Sequence, residues 1–295
     1  MSPRDDVPTQ SPAPTRPVVR WFGGKWRLAP FINEYLPPHR TYVEAFGGGG
    51  SVLLRKPRSY AEVYNDLDVE VVNLFRVLRD DTLSARLVRQ LALTPFAREE
   101  FVASYDDADD QVERARRLVV LSFMGFGSNA HAKRSTGFRS NTTRAGTTPA
   151  FDWAHYPEAL LACIERLRGV VIENRPAVEV MARHDGLDTV HYVDPPYIWS
   201  TRGRNDAQRH YRHEMNDDEH VALLAFLRTL KGSVVLSGYA HPLYDDALAD
   251  WRRVERATHA DGALARVEVL WINPTACARM PSPTLFDNAP SEARQ

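Results

Sequence analysis

Residues 190–197 read Val-His-Tyr-Val-Asp-Pro-Pro-Tyr, and this stretch is the strongest indication of the fold class. Its first four residues form an apolar run typical of a buried strand in a mostly parallel sheet. Two consecutive prolines cannot continue that strand, because neither has an N–H to donate and each restrains the residue before it. The chain must therefore turn at the carboxyl end of the strand, where open α/β sheets bind their ligands.

This turn brings hydrogen-bond acceptors next to an aromatic ring. Asp194 carries a carboxylate, the backbone carbonyls of Asp194 and Pro195 leave the strand ladder, and Tyr197 supplies the ring. Acceptors beside a flat ring suit a flat ligand that carries an amino group, such as a nucleobase. The alternative is a rigid turn that only ends the strand.

The bulk composition is that of an ordinary globular chain. Of its 295 residues, 43% are hydrophobic and 25% are charged, which is enough for one large α/β domain with an insertion. No apolar stretch approaches the ~18–20 residues that cross a bilayer, so we expect no membrane partner. Cys163 and Cys277 fall in a predicted helix and at a predicted strand end, with no metal-ligand spacing. Their use favours a reducing, cytoplasmic location rather than a disulfide framework.

Positive charge is concentrated locally, although the net charge is only −1. The segment from Arg114 to Arg144 holds seven Lys or Arg and no Asp or Glu. A second basic cluster, after the Asp-Pro-Pro-Tyr turn, contains Arg202, Arg204, Arg209 and Arg212. A solvated surface is the ordinary explanation of such runs. Both runs lie in loop-like sequence and the second adjoins the turn, so we predict contact with phosphates.

Strands and helices alternate along most of the chain. The strands are predicted at 41–46, 62–65, 170–173, 190–193 and 233–237, with a final pair around Val254 and at 267–272. Helices are predicted to start at Ser51 and to cover 69–78, 157–168 and 217–230. This alternation predicts an α/β fold, a Rossmann-like, doubly wound and mostly parallel sheet with helices on both faces.

Three segments depart from that rhythm. Residues 1–17 hold five prolines and predict a disordered arm, and 281–295 predict a loose tail. Residues 80–149 are mainly helical up to Met124 and then become rich in glycine, serine and arginine. We interpret 80–149 as an inserted recognition domain, with a mobile surface loop as the alternative, and 18–79 with 150–280 as the main domain.

A glycine-rich turn follows the first predicted strand. Phe46-Gly47-Gly48-Gly49-Gly50 opens a helix, and Asp66 ends the second strand twenty residues after Phe46. Glycines permit a tight turn close to a ligand, and an acidic side chain at that distance can hold both hydroxyls of a ribose. No P-loop lysine follows these glycines, so a nucleoside triphosphatase is disfavoured. A nicotinamide cofactor fits this segment on its own.

A second glycine pair lies before the first strand, in Arg20-Trp21-Phe22-Gly23-Gly24-Lys25. This segment can fold over the carboxyl edge of the sheet, where Trp21 would pack on a ligand and Lys25 would meet a carboxylate. A packed N-terminal turn with a solvated lysine explains it equally well.

Together, residues 20–25, 46–50, 65–66 and 194–197 resemble the amino-methyltransferases of DNA. The order of cofactor loop, recognition insert and catalytic turn is similar to that of the Dam-type adenine methylases, the alpha group. The resemblance covers about residues 18–275, and the stretches 234–237 and 267–274 resemble those of phage-borne members.

The resemblance implies S-adenosylmethionine as the cofactor and no metal. The implied cofactor contacts are Trp21, Lys25, Phe46, Gly48, Gly50, Asp66 and Asp194. The implied catalytic residues are Asp194, Pro195, Pro196 and Tyr197, with the target adenine turned out of the helix and stacked on Tyr197. The partner is double-stranded DNA, for which the candidate contacts are Arg20, Asn129, Lys133, Arg134, Arg139, Arg144, Arg202 and Arg204.

Several alternatives stay open on the sequence alone. The same chemistry could act on the cytosine amino group or on RNA, and a paired restriction endonuclease acting separately is compatible with the family. A nicotinamide-dependent oxidoreductase and a DNA-binding module without catalysis are the alternatives of another class. His210, His213 and His220 lack a carboxylate or cysteine that would complete a metal site. Glu44, inside the first strand, is expected to be satisfied by buried backbone, with a cofactor contact as the alternative.

Overall fold

The computed structural model describes residues 13–126, 136–143, 146–201, 212–259 and 265–281. Within these residues seven strands form one sheet: β1 (Thr41–Glu44), β2 (Ala61–Asn65), β3 (Val170–Glu173), β4 (Thr189–Val193), β5 (Ser233–Tyr239), β6 (Arg252–His259) and β7 (Ala265–Ile272). The described helices are α1 (Ala29–Asn33), α2 (Ser51–Arg55), α3 (Val69–Arg79), α4 (Asp81–Leu93), α5 (Arg98–Ala103), α6 (Gln111–Met124), α7 (Pro149–Ala154), α8 (Tyr156–Leu167), α9 (Ala177–His184), α10 (Asp217–Leu227), α11 (Pro242–Ala247) and α12 (Pro274–Arg279).

The strand order is β3-β2-β1-β4-β5-β7-β6. Strands β1 to β5 run parallel to one another, and β7 runs antiparallel to both β5 and β6. From β1 the chain winds outward to β3, and it then returns to place β4 on the other side of β1. The crevice at such a switch point lies at the carboxyl ends of β1 and β4. The predicted doubly wound, mostly parallel sheet is therefore confirmed.

Both faces of the sheet are covered, which explains why its central strands read as nearly continuous apolar runs. Along β1, Tyr42 belongs to the core on one face and Val43 to the core on the other. Along β4, Tyr192 and Val193 divide in the same way. This alternation follows from the two-residue period of a strand, and it fixes which side chains approach the crevice.

The helical part of the predicted insert does not form a core of its own. Leu87 and Leu91 of α4 and Val119 of α6 share one hydrophobic cluster with Phe75 of α3 and with the sheet. Helices α4 and α6 therefore complete the layer that covers one face of the sheet, and the domain boundary at residue 80 stays a prediction. Recognition by 80–149 stays a prediction.

The glycine-rich part of the insert leaves and rejoins this layer at one point. Gly125 and Phe138 form an antiparallel bridge, in which the Arg139 N–H donates to the Met124 carbonyl at 2.8 Å. Residues 127–135 and 144–145 lie outside the described residues.

The ends of the chain correct two expectations. Pro14 is buried and the Arg16 guanidinium donates to the Asp152 carbonyl at 3.0 Å, so the last residues of the predicted arm are packed against α7. Residues 1–12 and 282–295 lie outside the described residues. Cys277 lies in α12 rather than at a strand end, because the Asn273 side chain accepts the Ala276 N–H and Pro274 begins the helix.

Individual element ends differ from prediction by a few residues. The first strand ends at Glu44 rather than Phe46, and α10 ends at Leu227 rather than Leu230. The short helix α9 has no counterpart in the sequence-based expectations. Across the described ranges, none of the helices combines the length and the apolar character that crossing a bilayer requires.

Candidate active site

Asp194 lies at the carboxyl end of β4, where Pro195 and Pro196 stop the strand. Its Oδ1 accepts hydrogen bonds from Lys25 Nζ at 2.8 Å and from Ser237 Oγ at 2.9 Å. The side chain retains 17% exposure toward the crevice. Burial raises the pKa of Asp194, and the ion pair with Lys25 opposes that rise. The turn therefore presents an oriented carboxylate, as predicted from its position after the strand.

Lys25 is almost fully buried, with 4% of its surface exposed. Its ammonium donates to the Gly23 carbonyl at 3.0 Å, to Asp194 and to the Tyr197 hydroxyl. The Glu268 carboxylate lies 3.5 Å from the same nitrogen. Lys25 thus meets two carboxylates of the protein, so the alternative of a solvated lysine is wrong.

Tyr197 is tied into the same network. Its hydroxyl donates to the two Glu268 carboxylate oxygens at 3.0 and 3.2 Å, and its ring lies 4.4 Å from that of Tyr239. The side chain is only 7% exposed. Within the described chain, Asp194 and Pro196 line the crevice, whereas Pro195 and Tyr197 are buried and do not. Stacking of a base on Tyr197 stays a prediction.

Glu268 is a buried carboxylate that the sequence analysis did not single out. It lies on β7 and is 2% exposed. Burial raises its pKa to about 7, and the nearby Lys25 cation opposes that shift. Ser237 of β5 was also not predicted, and its hydroxyl joins Asp194 to the Tyr192 hydroxyl. The sequence does contain one indication of Glu268, because it is a charged residue within an otherwise apolar stretch of β7.

The glycine turn after β1 has a packing reason for its composition. Gly48 and Gly50 have φ values of +47° and +63°. A Cβ on Gly47 would come within 2.2 Å of the Tyr64 ring, and one on Gly50 within 2.8 Å of the Phe75 ring. Since Tyr64 and Phe75 stack at 4.2 Å, the turn lies directly on an aromatic pair. Gly50 faces this pair, and in the described chain it is not among the residues that line the crevice.

Asp66 both braces the glycine turn and faces the crevice. Its carboxylate accepts the N–H of Gly48 at 2.7 Å and the N–H of Asp68 at 2.8 Å. Burial raises the pKa of Asp66 to about 6, and these two hydrogen bonds oppose the shift. The carboxylate that was predicted to hold a ribose is therefore already oriented by the loop that precedes it.

Glu44 contributes a further buried carboxylate. It accepts the Leu53 N–H at 2.7 Å and the Tyr42 hydroxyl at 2.8 Å, as the expectation of backbone satisfaction required. It also lines the crevice. Burial raises its pKa to about 8, against the two hydrogen bonds it accepts.

These elements enclose a cavity of about 680 Å³, within the range of small-molecule sites. Six of the seven predicted cofactor residues line it: Trp21, Lys25, Phe46, Gly48, Asp66 and Asp194. The cavity also borders the start of α9 through Ala177 and the middle of α10 through Leu223. Acidic side chains outnumber basic ones on its walls. The acidic ones are Glu44, Asp66, Asp68, Asp194, Glu214 and Glu219, and the basic ones are Lys25 and Arg212. Even with Glu44 protonated, this excess of carboxylates suits a positively charged ligand.

The predicted DNA contacts are only partly described. Arg20 joins α6 through its backbone, since its N–H donates to Ser122 Oγ at 2.6 Å and its carbonyl accepts from that hydroxyl at 3.1 Å. The Arg139 guanidinium donates to the Phe123 carbonyl at 3.0 Å. The remaining candidates lie outside the described residues: Asn129, Lys133, Arg134, Arg144, Arg202 and Arg204.

The first part of the basic run is neutralised within the protein. Arg114 pairs with Glu70 at 2.8 Å, and Arg116 and Arg117 both pair with Glu113 at 2.7 Å. The expectation that the whole run from Arg114 contacts phosphates is therefore corrected for these three residues. Their partners precede them in the sequence and become neighbours only in the folded helices.

Histidines contribute to packing where the structure describes them. His220 is buried, and its Nδ1 lies 2.9 Å from the Tyr244 hydroxyl. Among the described residues, His, Cys, Asp and Glu side chains form no group of three that could hold a metal ion.

The family model of the D12 class N6 adenine-specific DNA methyltransferases matches residues 21–259, which include the glycine turn, Asp66 and the Asp-Pro-Pro-Tyr turn. The chain belongs to this family. The resemblance to Dam-type adenine methylases is thereby confirmed. Because the D12 class is adenine-specific and acts on DNA, the cytosine, RNA and oxidoreductase alternatives are set aside.

Curated proteins with related sequences agree with the D12 assignment. The type II methyltransferase M1.LlaDCHI of Lactococcus lactis subsp. cremoris is 27% identical over 84% of this chain and 90% of its own length. The type II methyltransferase M.MjaIII of Methanocaldococcus jannaschii is 24% identical over 73% and 80%. The DNA adenine methylase of Escherichia coli strain K12 is 26% identical over 62% and 65%.

Proposed function

We propose that this D12 enzyme takes its methyl group from S-adenosylmethionine held in the cavity between β1 and β4. It transfers that group to the exocyclic amino group of an adenine turned out of duplex DNA. The observation that carries the proposal is the position of Asp194, a half-buried and oriented carboxylate that faces the cavity at the carboxyl end of β4.

The cavity walls fit the proposed cofactor. Trp21 and Phe46 offer aromatic surface, Asp66 offers a carboxylate for the ribose hydroxyls, and Gly48 allows the backbone to approach closely. The carboxylates on the walls complement a sulfonium cation and an ammonium group. When bound, S-adenosylmethionine supplies an activated methyl group, so the protein needs mainly to align the acceptor nitrogen with it. Gly50 supports the turn from behind rather than contacting the cofactor.

Asp194 and the Pro195 carbonyl act on the acceptor nitrogen. The lone pair of an adenine amino group is delocalised into the ring, which makes that nitrogen a weak nucleophile. Two acceptors that bind its two hydrogens favour a tetrahedral nitrogen and free the lone pair. These hydrogen bonds strengthen as positive charge develops on the nitrogen, so they stabilise the transition state more than the bound substrate.

The base must leave the helix to reach Asp194, because the amino group of a stacked base is not accessible to in-line transfer. Basic residues after the turn and in the glycine-rich part of the insert would hold the phosphates meanwhile. Such contacts release counterions, and they predict an affinity for DNA that falls steeply with salt. Residues 80–149 would carry the recognition of the target sequence.

Two further features of the function are part of the proposal. The names of two relatives, type II methyltransferases, support a modification role alongside a separately acting restriction endonuclease. The absence of a bilayer-crossing helix from the described residues is compatible with action in the cytoplasm, where DNA and the cofactor meet.

The decisive experiment transfers label from S-adenosylmethionine into mixed-sequence duplex DNA, followed by digestion and identification of the modified nucleoside. Calorimetry of cofactor binding runs in parallel, so that binding and transfer are measured separately. Label on the adenine amino group supports the proposal. Label on cytosine, or none from folded protein that binds the cofactor and a library of duplex sites, contradicts it.

A further inference from the structure

Glu268 is the least explained polar residue near the site. It is 2% exposed and lies on β7, two strands away from β4. In the described chain it is not among the residues that line the cavity, so it is not placed to touch cofactor or substrate. A buried carboxylate is costly to desolvate unless it has charged or hydrogen-bonding partners. Its partners are therefore the guide to its role.

Those partners belong to the candidate active site. Glu268 Oε1 lies 3.5 Å from Lys25 Nζ, and both its oxygens accept from the Tyr197 hydroxyl. Lys25 in turn donates to Asp194 at 2.8 Å and to the Tyr197 hydroxyl. One buried cation is thus shared by two carboxylates, one facing the cavity and one behind it.

We propose that Glu268 is a positioning residue for methyl transfer, which acts by sharing the Lys25 cation and by holding the Tyr197 hydroxyl. The inference rests on the proposed function of Asp194. With Glu268 ionised, the cluster of Lys25, Asp194 and Glu268 carries a net charge of −1. Asp194 then remains a strong acceptor for the amino group, and the cluster favours the positive charge that develops on the nitrogen.

Without the second carboxylate, Lys25 would neutralise Asp194 completely. The hydrogen bond would still orient Asp194, but the negative potential at the acceptor nitrogen would be weaker. The geometry therefore separates two tasks. Lys25 fixes the direction of the Asp194 carboxylate, and Glu268 preserves its charge.

The ionisation of Glu268 depends on all groups around it. Among the described residues these are Lys25 from the N-terminal segment, Tyr192 on β4, Asp194 and Tyr197 from the turn after β4, Tyr239 opposite on β5 and Arg256 opposite on β6. Burial raises the pKa of Glu268 to about 7 and also raises that of Asp194. The methyl-transfer rate should fall as the pH decreases from neutral, which is the acid limb of its pH profile. Because the two carboxylates interact through Lys25, this limb reflects the titration of the pair and not of either residue alone.

The test compares Glu268→Gln with Glu268→Asp and with a matched control, Glu255→Gln. Glu255 lies on neighbouring β6, is 53% exposed and pairs with Arg253. For Glu268→Gln we expect kcat at pH 8 to fall roughly tenfold, as for one charge removed a few ångströms from the reaction. Its acid limb moves to lower pH, because Asp194 loses a like-charged neighbour. In Glu268→Asp, which keeps a carboxylate, the acid limb should return to the wild-type pH. The control Glu255→Gln should have the wild-type kcat and the wild-type pH profile.

A variant at Tyr197 gives a second, opposite shift. Tyr197→Phe removes a hydrogen bond to Glu268 that favours its ionised form, so the acid limb moves to higher pH. This measurement stands even if Glu268→Gln fails to fold.

Cofactor affinity and thermal melting distinguish positioning from simple support. Unchanged cofactor affinity with a shifted pH profile supports the proposal. A wild-type pH profile in Glu268→Gln overturns it. So does a Glu268→Gln protein that binds the cofactor more weakly and melts at a lower temperature while the acid limb of its rate stays at the wild-type pH. Absence of adenine methylation by the wild-type protein is a failure of the proposed function and is seen before any variant is compared.

Discussion

Lys25 Nζ lies 2.8 Å from Asp194 Oδ1, although 169 positions separate the two residues in the chain. The contact brings the segment before β1 over the carboxyl end of β4, so the two glycine-containing motifs and the Asp-Pro-Pro-Tyr turn meet at one switch point. An oriented carboxylate at this point is what the transfer of a methyl group to an amino nitrogen requires.

Replacing the Asp194 carboxylate with an amide should abolish most activity and spare binding. In Asp194→Asn the side chain loses its charge and Lys25 loses its nearest anionic partner. We expect kcat to fall roughly 10²–10³-fold, as when one preorganised transition-state contact is removed. Calorimetry should still detect cofactor binding. Asp250→Asn is the control, since Asp250 is exposed and pairs with Arg228. Full activity in Asp194→Asn would refute the assignment.

The glycine turn should be sensitive to packing more than to backbone conformation. Gly50 and Gly169 both have positive φ. A Cβ added to Gly50 would lie against the Phe75 ring, whereas a Cβ added to Gly169 would have no atom within 4 Å. We expect Gly169→Ala to cost about 1–2 kcal/mol in the free energy of unfolding. Gly50→Ala should cost about 1–3 kcal/mol more because the core is overpacked. Urea unfolding measures the stability of both variants. Equal decreases in the free energy of unfolding would show that the Phe75 ring moves aside at no cost, which contradicts the prediction.

Glu44 should make the protein less stable at alkaline pH. Its pKa in the folded state is raised to about 8, above the value of an unfolded glutamate, so the folded state binds the proton more tightly. Stability from this group is full at low pH and is lost as pH rises through about 8. In Glu44→Gln, stability should therefore fall less than in the wild-type protein between pH 5 and pH 9. Urea unfolding across that range measures the difference.

The control for this pH experiment is Glu255→Gln, which removes an exposed carboxylate on β6. It should reproduce the wild-type dependence of stability on pH. If Glu44→Gln does the same, the carboxyl of Glu44 is not the group that titrates.

Basic residues should differ in their contribution to DNA binding according to their partners. Arg114 already pairs with Glu70 at 2.8 Å, so Arg114→Gln should leave the salt dependence of DNA affinity unchanged. The double variant Arg202→Ala, Arg204→Ala should reduce the slope of log affinity against log salt by about 2, one for each lost phosphate contact. Fluorescence anisotropy with labelled duplex over a salt series measures both. The reverse order of effects would place the phosphate contacts on α6.

The position of Asp194 could be predicted because it follows from local covalent rules. Two prolines end a strand wherever they occur, and the carboxyl edge of a parallel sheet is where its loops converge. The alternation of strands and helices predicted the doubly wound sheet for a similar reason, since each element carries its own periodicity. Boundaries such as Leu227 of α10 depended on capping and packing, which periodicity does not contain.

Glu268 could not be placed by the same reasoning. Its role depends on β7 pairing with β5, and this long-range register brings its carboxylate to Lys25 and Tyr197. The ion pair between Arg114 and Glu70 was hidden in the same way, because 44 positions separate the two residues. Local sequence predicted which residues carry chemistry, whereas the sheet order determined which of them meet.

The strand order has a consequence for how the protein matures on the ribosome. Strand β7 is inserted between β5 and β6, although it is translated after both. A nascent chain that ends at β6 therefore contains Lys25 and Asp194 but lacks the carboxylate of Glu268. In such a chain β6 also lacks β7, the strand with which it pairs. The charge balance around Lys25 is completed by the same event that closes the sheet. The cluster around Lys25 is therefore complete only after β7 has been translated and has joined the sheet.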